Sequence, residues 1–191
     1  GEAEGWIRNR RTLALMADLG FSSDQLADSK RGLSFQSEGP LDMRLDASRG
    51  ESCRELLAKI SERELEEILR EWGEEKFSKR IAGAIVARRR QGETFATTQD
   101  LVQVVVRAIP VGARHGRLHA ATRTFQALRI AVNQELTELD HLLERTLTGM
   151  LPGGRVAILS FHSLEDRRVK TCFKDRLRFR SIVKKAISSA M

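Results

Sequence analysis

Asp18 closes the short apolar run TLALMAD, and an Asp-Leu-Gly turn follows it. An acid there sits at the carboxyl end of a buried strand, where open α/β sheets bind their ligands. Gln25 lies seven residues later. A carboxylate and an amide so spaced can hold a polar ligand, or can mark a strand end and a capping turn; spacing alone does not choose. In GPLDMRLD, residues Asp42, Arg44 and Asp46 alternate and share one side if the segment is extended. A guanidinium between carboxylates can clamp a phosphate or position a base. The same cluster can also be a salt bridge that pins a loop. SFHSLEDRR sets His162 directly after a second apolar run. That place suits substrate contact or proton handling, and equally a satisfied histidine at a helix start. His115 and His119 stand four apart, but Gly116 interrupts and no cysteine or HExxH glutamate is near, so no metal site is expected.

These side chains need elements to hold them. TLALMAD is short, unbroken and apolar, as a parallel strand covered on both faces should be. Helix starts follow as capping boxes: Ser52 with Glu55, Ser61 with Glu64, and Thr97 with Asp100. Leu65, Ile68, Leu69 and Trp72 then form a helical stripe, and Phe77, Ile81 and Ile85 another. The chain from about Ser52 to Ile109 reads as a compact set of helices. One longer helix is expected from Thr122 to Met150, with Phe125, Leu128, Val132, Leu136, Leu139, Leu143 and Leu147 on one face. Gly149 and Pro152 should stop it. PGGRVAILSF reads as a second strand after a tight turn, and HSLEDRRVKTCFKDRL as a helix capped by Ser163 with Asp166. Both ends are therefore α/β and the middle is helical.

Composition narrows the function classes. A chain of 191 residues with 41% hydrophobic residues can bury a core. Its net charge of +7 favours a polyanionic partner such as RNA. The clusters Lys76, Lys79, Arg80 and Arg88 to Arg90 could neutralise phosphates, although most such runs are solvated helix faces. Two tryptophans and no tyrosine argue against a single-strand stacking platform. No apolar stretch approaches the roughly 18 residues of a membrane span. No secretory core is visible at the N-terminus, and Cys53 and Cys172 are too few for a disulfide scaffold. A cytoplasmic protein is expected.

The stretch from Asp18 to Asp46, DLGFSSDQLADSKRGLSFQSEGPLDMRLD, resembles the signature of the bacterial ribosomal RNA small-subunit methyltransferase H family, also called MraW. WGEEKFSKRIAGAIV, ATRTFQALRIAVNQEL and PGGRVAILSFHSLEDRRVK continue the resemblance in the family's order. It implies a partial class I, Rossmann-like fold that uses S-adenosylmethionine, with an inserted all-helical subdomain. Residues 1–46 would be a Rossmann-like portion, 47–118 the inserted helices, 119–170 the return to the sheet and 171–191 a short tail. The implied reaction is methylation of the exocyclic N4 of a decoding-centre cytidine in 16S rRNA of the small ribosomal subunit. Asp18 and Gln25 fall where the family contacts the cofactor. The proton of the poorly nucleophilic amine would go to the Asp18 carboxylate or to a loop carbonyl next to it. Ser22, Ser23, Asp42, Arg44, Arg123 and His162 fall on the RNA side. The stretch from Asp18 to Asp46 would join the cofactor pocket to the inserted helices.

The family's glycine-rich turn and second acid-tipped strand lie upstream of this stretch, and nothing before Thr12 matches them. The resemblance thus covers the family's C-terminal two-thirds. On that ground the chain by itself is expected to bind the cofactor weakly or not at all. An exposed sheet edge would invite a partner, a second copy included. The alternative expectation is a catalytically inactive RNA-binding remnant.

Overall fold

The computed structural model describes residues 12–114, 118–180 and 182, with only the backbone of Ser23 and Ala27. The chain divides into two compact units, residues 1–20 with 136–191, and residues 21–135.

The first unit carries two strands, β1 (Thr12–Asp18) and β2 (Met150–Leu159), which pair in parallel. Thr12 aligns with Met150, but Ala14 aligns with Arg155, so β2 bulges across Leu151–Gly154 before Asp18 comes level with Leu159. The Pro-Gly-Gly stretch therefore lies inside the strand as an irregularity; glycines commonly mark such bulges. β1 was expected to be covered on both faces. It is not: Leu13 is 65% exposed and Met16 73%. The other face is covered by α7 (Glu135–Gly149) and α8 (Ser163–Phe173), where Leu139, Leu143 and Val169 pack with Leu19 and Ile158.

The second unit is built on helices. Its elements are α1 (Ser23–Ala27), α2 (Cys53–Lys59), α3 (Glu62–Gly73), α4 (Ser78–Arg90), α5 (Thr98–Ala108) and α6 (Thr122–Asn133). All three expected capping boxes form, each with its hydroxyl and carboxylate satisfying otherwise orphan amides. Leu57, Leu65, Leu69, Ile81, Ile85 and Leu128 are wholly buried in one core, and Leu41 and Met43 of the long loop join them. That loop is therefore part of the fold. A bridge between Pro40 and Thr97 ties it to the start of α5.

Two expectations fail at helix boundaries. The single long helix breaks at Gln134, which takes a left-handed φ of 51°, and becomes α6 and α7. The break follows Asn133, whose side chain bonds to the long loop, and precedes Glu135, which turns back to hold Arg129 at 2.8 Å. At the start of α8 the cap is His162, not Ser163, and the third helical residue that answers it is Glu165. Asp166 instead pairs with Lys170 at 2.6 Å, one turn along.

Two of the basic residues of α4 are occupied by structure. Arg88 binds Glu93 at 2.7 Å and donates to the Asp100 carbonyl, and it lies 5.1 Å from the Phe95 ring centre. Arg89 donates to the carbonyls of Leu57 and Ile60 at 2.9 and 2.7 Å, which caps the end of α2.

Candidate functional site

Parallel pairing brings both carboxyl ends of the sheet to one edge. Asp18 ends β1 opposite Leu159, and the Leu19 N–H donates to the Leu159 carbonyl at 3.1 Å, so the two chains stay together past the strand ends. The Asp18 carboxylate is exposed and makes no hydrogen bond or ion pair among the described residues. Phe161 and His162 follow on the β2 side of the same edge.

Glu165 organises that side. Its side chain is 6% exposed, and its carboxylate accepts from the Phe161 and His162 N–H groups at 2.9 and 3.4 Å. The His162 Nε2 lies 3.3 Å from its other oxygen. Burial alone would raise the Glu165 pKa, but hydrogen bonds from His162 and Phe161 outweigh it and hold the group below its ordinary value. A depressed folded pKa adds stability above the unfolded value, and that stability is lost as pH falls through the folded value. Glu165→Ala should therefore cost about 1–3 kcal/mol at neutral pH by orphaning two amides. Urea denaturation of parent and variant should show the gap closing below about pH 4. A gap constant across that range would mean that the ionised carboxylate contributes nothing.

The residues expected on the second unit are arranged as follows. Ser22 and Gln25 form a capping box on α1: the Ser22 hydroxyl accepts from the Gln25 N–H, and the Gln25 Oε1 accepts from the Ser22 N–H at 2.9 Å. The side chain of Ser23 lies outside the described residues. Asp42 and Arg44 form a two-point fork, with Arg44 Nε to Oδ1 at 2.7 Å and a terminal nitrogen to Oδ2 at 2.8 Å. The hydrogen bond from Arg44 holds the Asp42 carboxyl below its usual range, despite partial burial. Asp46 turns to its own loop and accepts from Ser48 at 2.6 Å. The alternation of GPLDMRLD is thus not that of an extended strand, because Met43 between the paired residues has a φ of 65°. Arg123 donates to the Glu74 carbonyl at the end of α3, and Gln126 donates to Trp72 there. His115 lies outside the described residues, and His119 stacks on Phe35 with ring centres 4.8 Å apart.

Sequence reasoning missed Glu165 and Asn133. Glu165 carried a signal, since it stands three residues after His162 as in a capping box. Asn133 carried none: its amide reaches Met43 and Leu45, about ninety residues away.

Residues 7–188 match the family described as the MraW methylase family. The chain belongs to it. Among curated members, a ribosomal RNA small subunit methyltransferase H of Halorhodospira halophila is 53% identical over 82% of this chain and 48% of its own length. One from Pelobacter propionicus is 51% identical over 83% of this chain and 50% of its own. One from Prochlorococcus marinus is 47% identical over 92% and 56%. The chain thus spans about half the length of the family members it matches. Among the described residues no helix is long and apolar enough to cross a membrane.

Proposed function

We propose that this chain is part of a methyltransferase that uses S-adenosylmethionine to methylate the N4 of a decoding-centre cytidine in 16S rRNA. In this reading β1 and β2 belong to a Rossmann-like sheet, and the helices of residues 21–135 are an insertion in it. Family membership supports the methyl transfer, and the relatives' name supports small-subunit RNA as the substrate. A net charge of +7 suits that polyanion, and a cytoplasmic location goes with it. The observation that carries the reading is Asp18: an exposed carboxylate without an internal partner among the described residues, at the carboxyl edge of a parallel sheet.

Asp18 and Gln25 each carry groups suited to a polar part of the cofactor. Asp18 has acceptor oxygens to offer, and Gln25 keeps its amide hydrogens because only its oxygen is engaged in the cap. When bound, S-adenosylmethionine supplies an electrophilic methyl group. The chain's task is on the other reactant. The N4 lone pair of cytosine is delocalised into the ring, so the amine must be oriented and relieved of a proton as the new bond forms. Asp18 accepts that proton. The Asp42–Arg44 fork presents fixed N–H donors for an RNA phosphate. His162, tied to Glu165, lines the base side of the sheet edge.

Incubation of the chain with unmethylated small subunits and saturating cofactor, followed by digestion and mass spectrometry of nucleosides, tests this. N4-methylcytidine is the expected product. A methyl group on any other atom contradicts the reading.

A further inference from the structure

We propose that Phe161 is the surface on which the target base stacks; this deepens the methyltransferase reading and rests on it. Phe161 stands two residues beyond Leu159, the partner of Asp18, on the edge where the proton acceptor lies. It is 71% exposed, and no other aromatic side chain among the described residues is an exposed large hydrophobic. Leu13 and Met16, comparably exposed, lie on the body of β1, whereas Phe161 lies past the end of β2.

Its backbone is anchored in spite of that exposure. The Phe161 N–H is held by the buried Glu165 carboxylate at 2.9 Å. Its ring rests against Gly20: a Cβ built there would meet the ring at 3.5 Å, and Gly20 has a φ of 98° that side chains rarely adopt. Gly20 thus brings bare backbone under one side of the ring and leaves the rest open to solvent. Glu165 and Gly20 act as positioning residues.

Chemistry gives such a ring a use. Cytosine in RNA is stacked, and its amine reaches a methyl donor only after the base leaves the stack. A fixed aromatic face restores the lost stacking and sets the plane of the base, and with it the direction of the amine. Phe161 carries no charge and no hydrogen-bonding group. It therefore supplies area and orientation, while Asp18 handles the proton.

The test titrates the 191-residue chain into a single-stranded oligoribonucleotide with a fluorescent cytosine analogue at the target position. The parent should quench the analogue as the base stacks. Phe161→Trp should retain quenching. Phe161→Leu keeps an apolar contact with Gly20 but has no π-face; it should lose the quenching and bind roughly tenfold more weakly. The slope of affinity against salt should match the parent's, because no phosphate contact changes. Quenching and affinity unchanged in Phe161→Leu would overturn the stacking role, whatever the standing of the wider reading. A parent chain that binds no RNA even at low salt would overturn the RNA reading, and the proposal with it.

Discussion

Gly32→Ala should destabilise the unit of residues 21–135 by at least about 4 kcal/mol, or prevent it from folding. A Cβ on Gly32 would stand 2.0 Å from the Pro40 carbonyl oxygen and 3.0 Å from the Asp42 nitrogen. Both are backbone atoms, so no side-chain rotation relieves the overlap. Gly32 also has a φ of 61°, which a Cβ makes costly by itself. The close approach is what the loop is built around. The Met43 N–H donates to the Arg31 carbonyl at 2.8 Å just beyond it, while Leu41 and Met43 are buried in the helical core. Gly50→Ala is the control, since Gly50 has a φ of 66° but nothing within 4 Å of a built Cβ. It should cost only the backbone penalty, about 1–2 kcal/mol. Urea denaturation separates the two. Equal losses would mean that the packing of the loop against itself contributes little.

Asn133→Ala should cost about 3 kcal/mol. Its amide group donates to the Met43 carbonyl at 2.8 Å and to the Arg129 carbonyl at 2.9 Å, and its oxygen accepts from the Leu45 N–H at 2.8 Å. Alanine would orphan both sides of the strained Met43 linkage. A residue other than glycine persists at a φ of 65° only where its surroundings over-determine it. Arg44 lies between the two clamped groups, so its fork with Asp42 should loosen as well. The Asp42 carboxyl should then titrate closer to its ordinary value, because the bond from Arg44 that lowers it is weakened. Thermal unfolding gives the stability loss, and carboxyl titration by NMR gives the local effect. A full stability loss with an unmoved Asp42 would show that the fork holds without the clamp.

The local parts of this structure were legible and the long-range parts were not. Capping boxes at Ser52, Ser61 and Thr97 span three residues and depend on nothing distant, so sequence placed those helix starts. The TLALMAD strand was legible by its apolar run, and its bounds are those expected. Its burial was not legible, because coverage depends on what packs against the face and not on the strand itself. The break at Gln134 interrupts a hydrophobic stripe that continues on both sides, so periodicity passes over it. Asp42 and Arg44 were legible as a charged pair, but their fork depends on a left-handed Met43 that no propensity suggests. Arg123 was expected on the RNA side only through the family resemblance. Its bond to Glu74 crosses 49 residues and could be seen only in three dimensions.

The central claim is that Asp18, at the carboxyl edge of the β1–β2 sheet, belongs to a cofactor site. Calorimetric titration of S-adenosylmethionine into the chain and into Asp18→Ala tests it most directly. The account predicts weak binding by the parent that disappears in the variant, with both proteins equally folded by circular dichroism. Binding by the parent that is unchanged in the variant would contradict it.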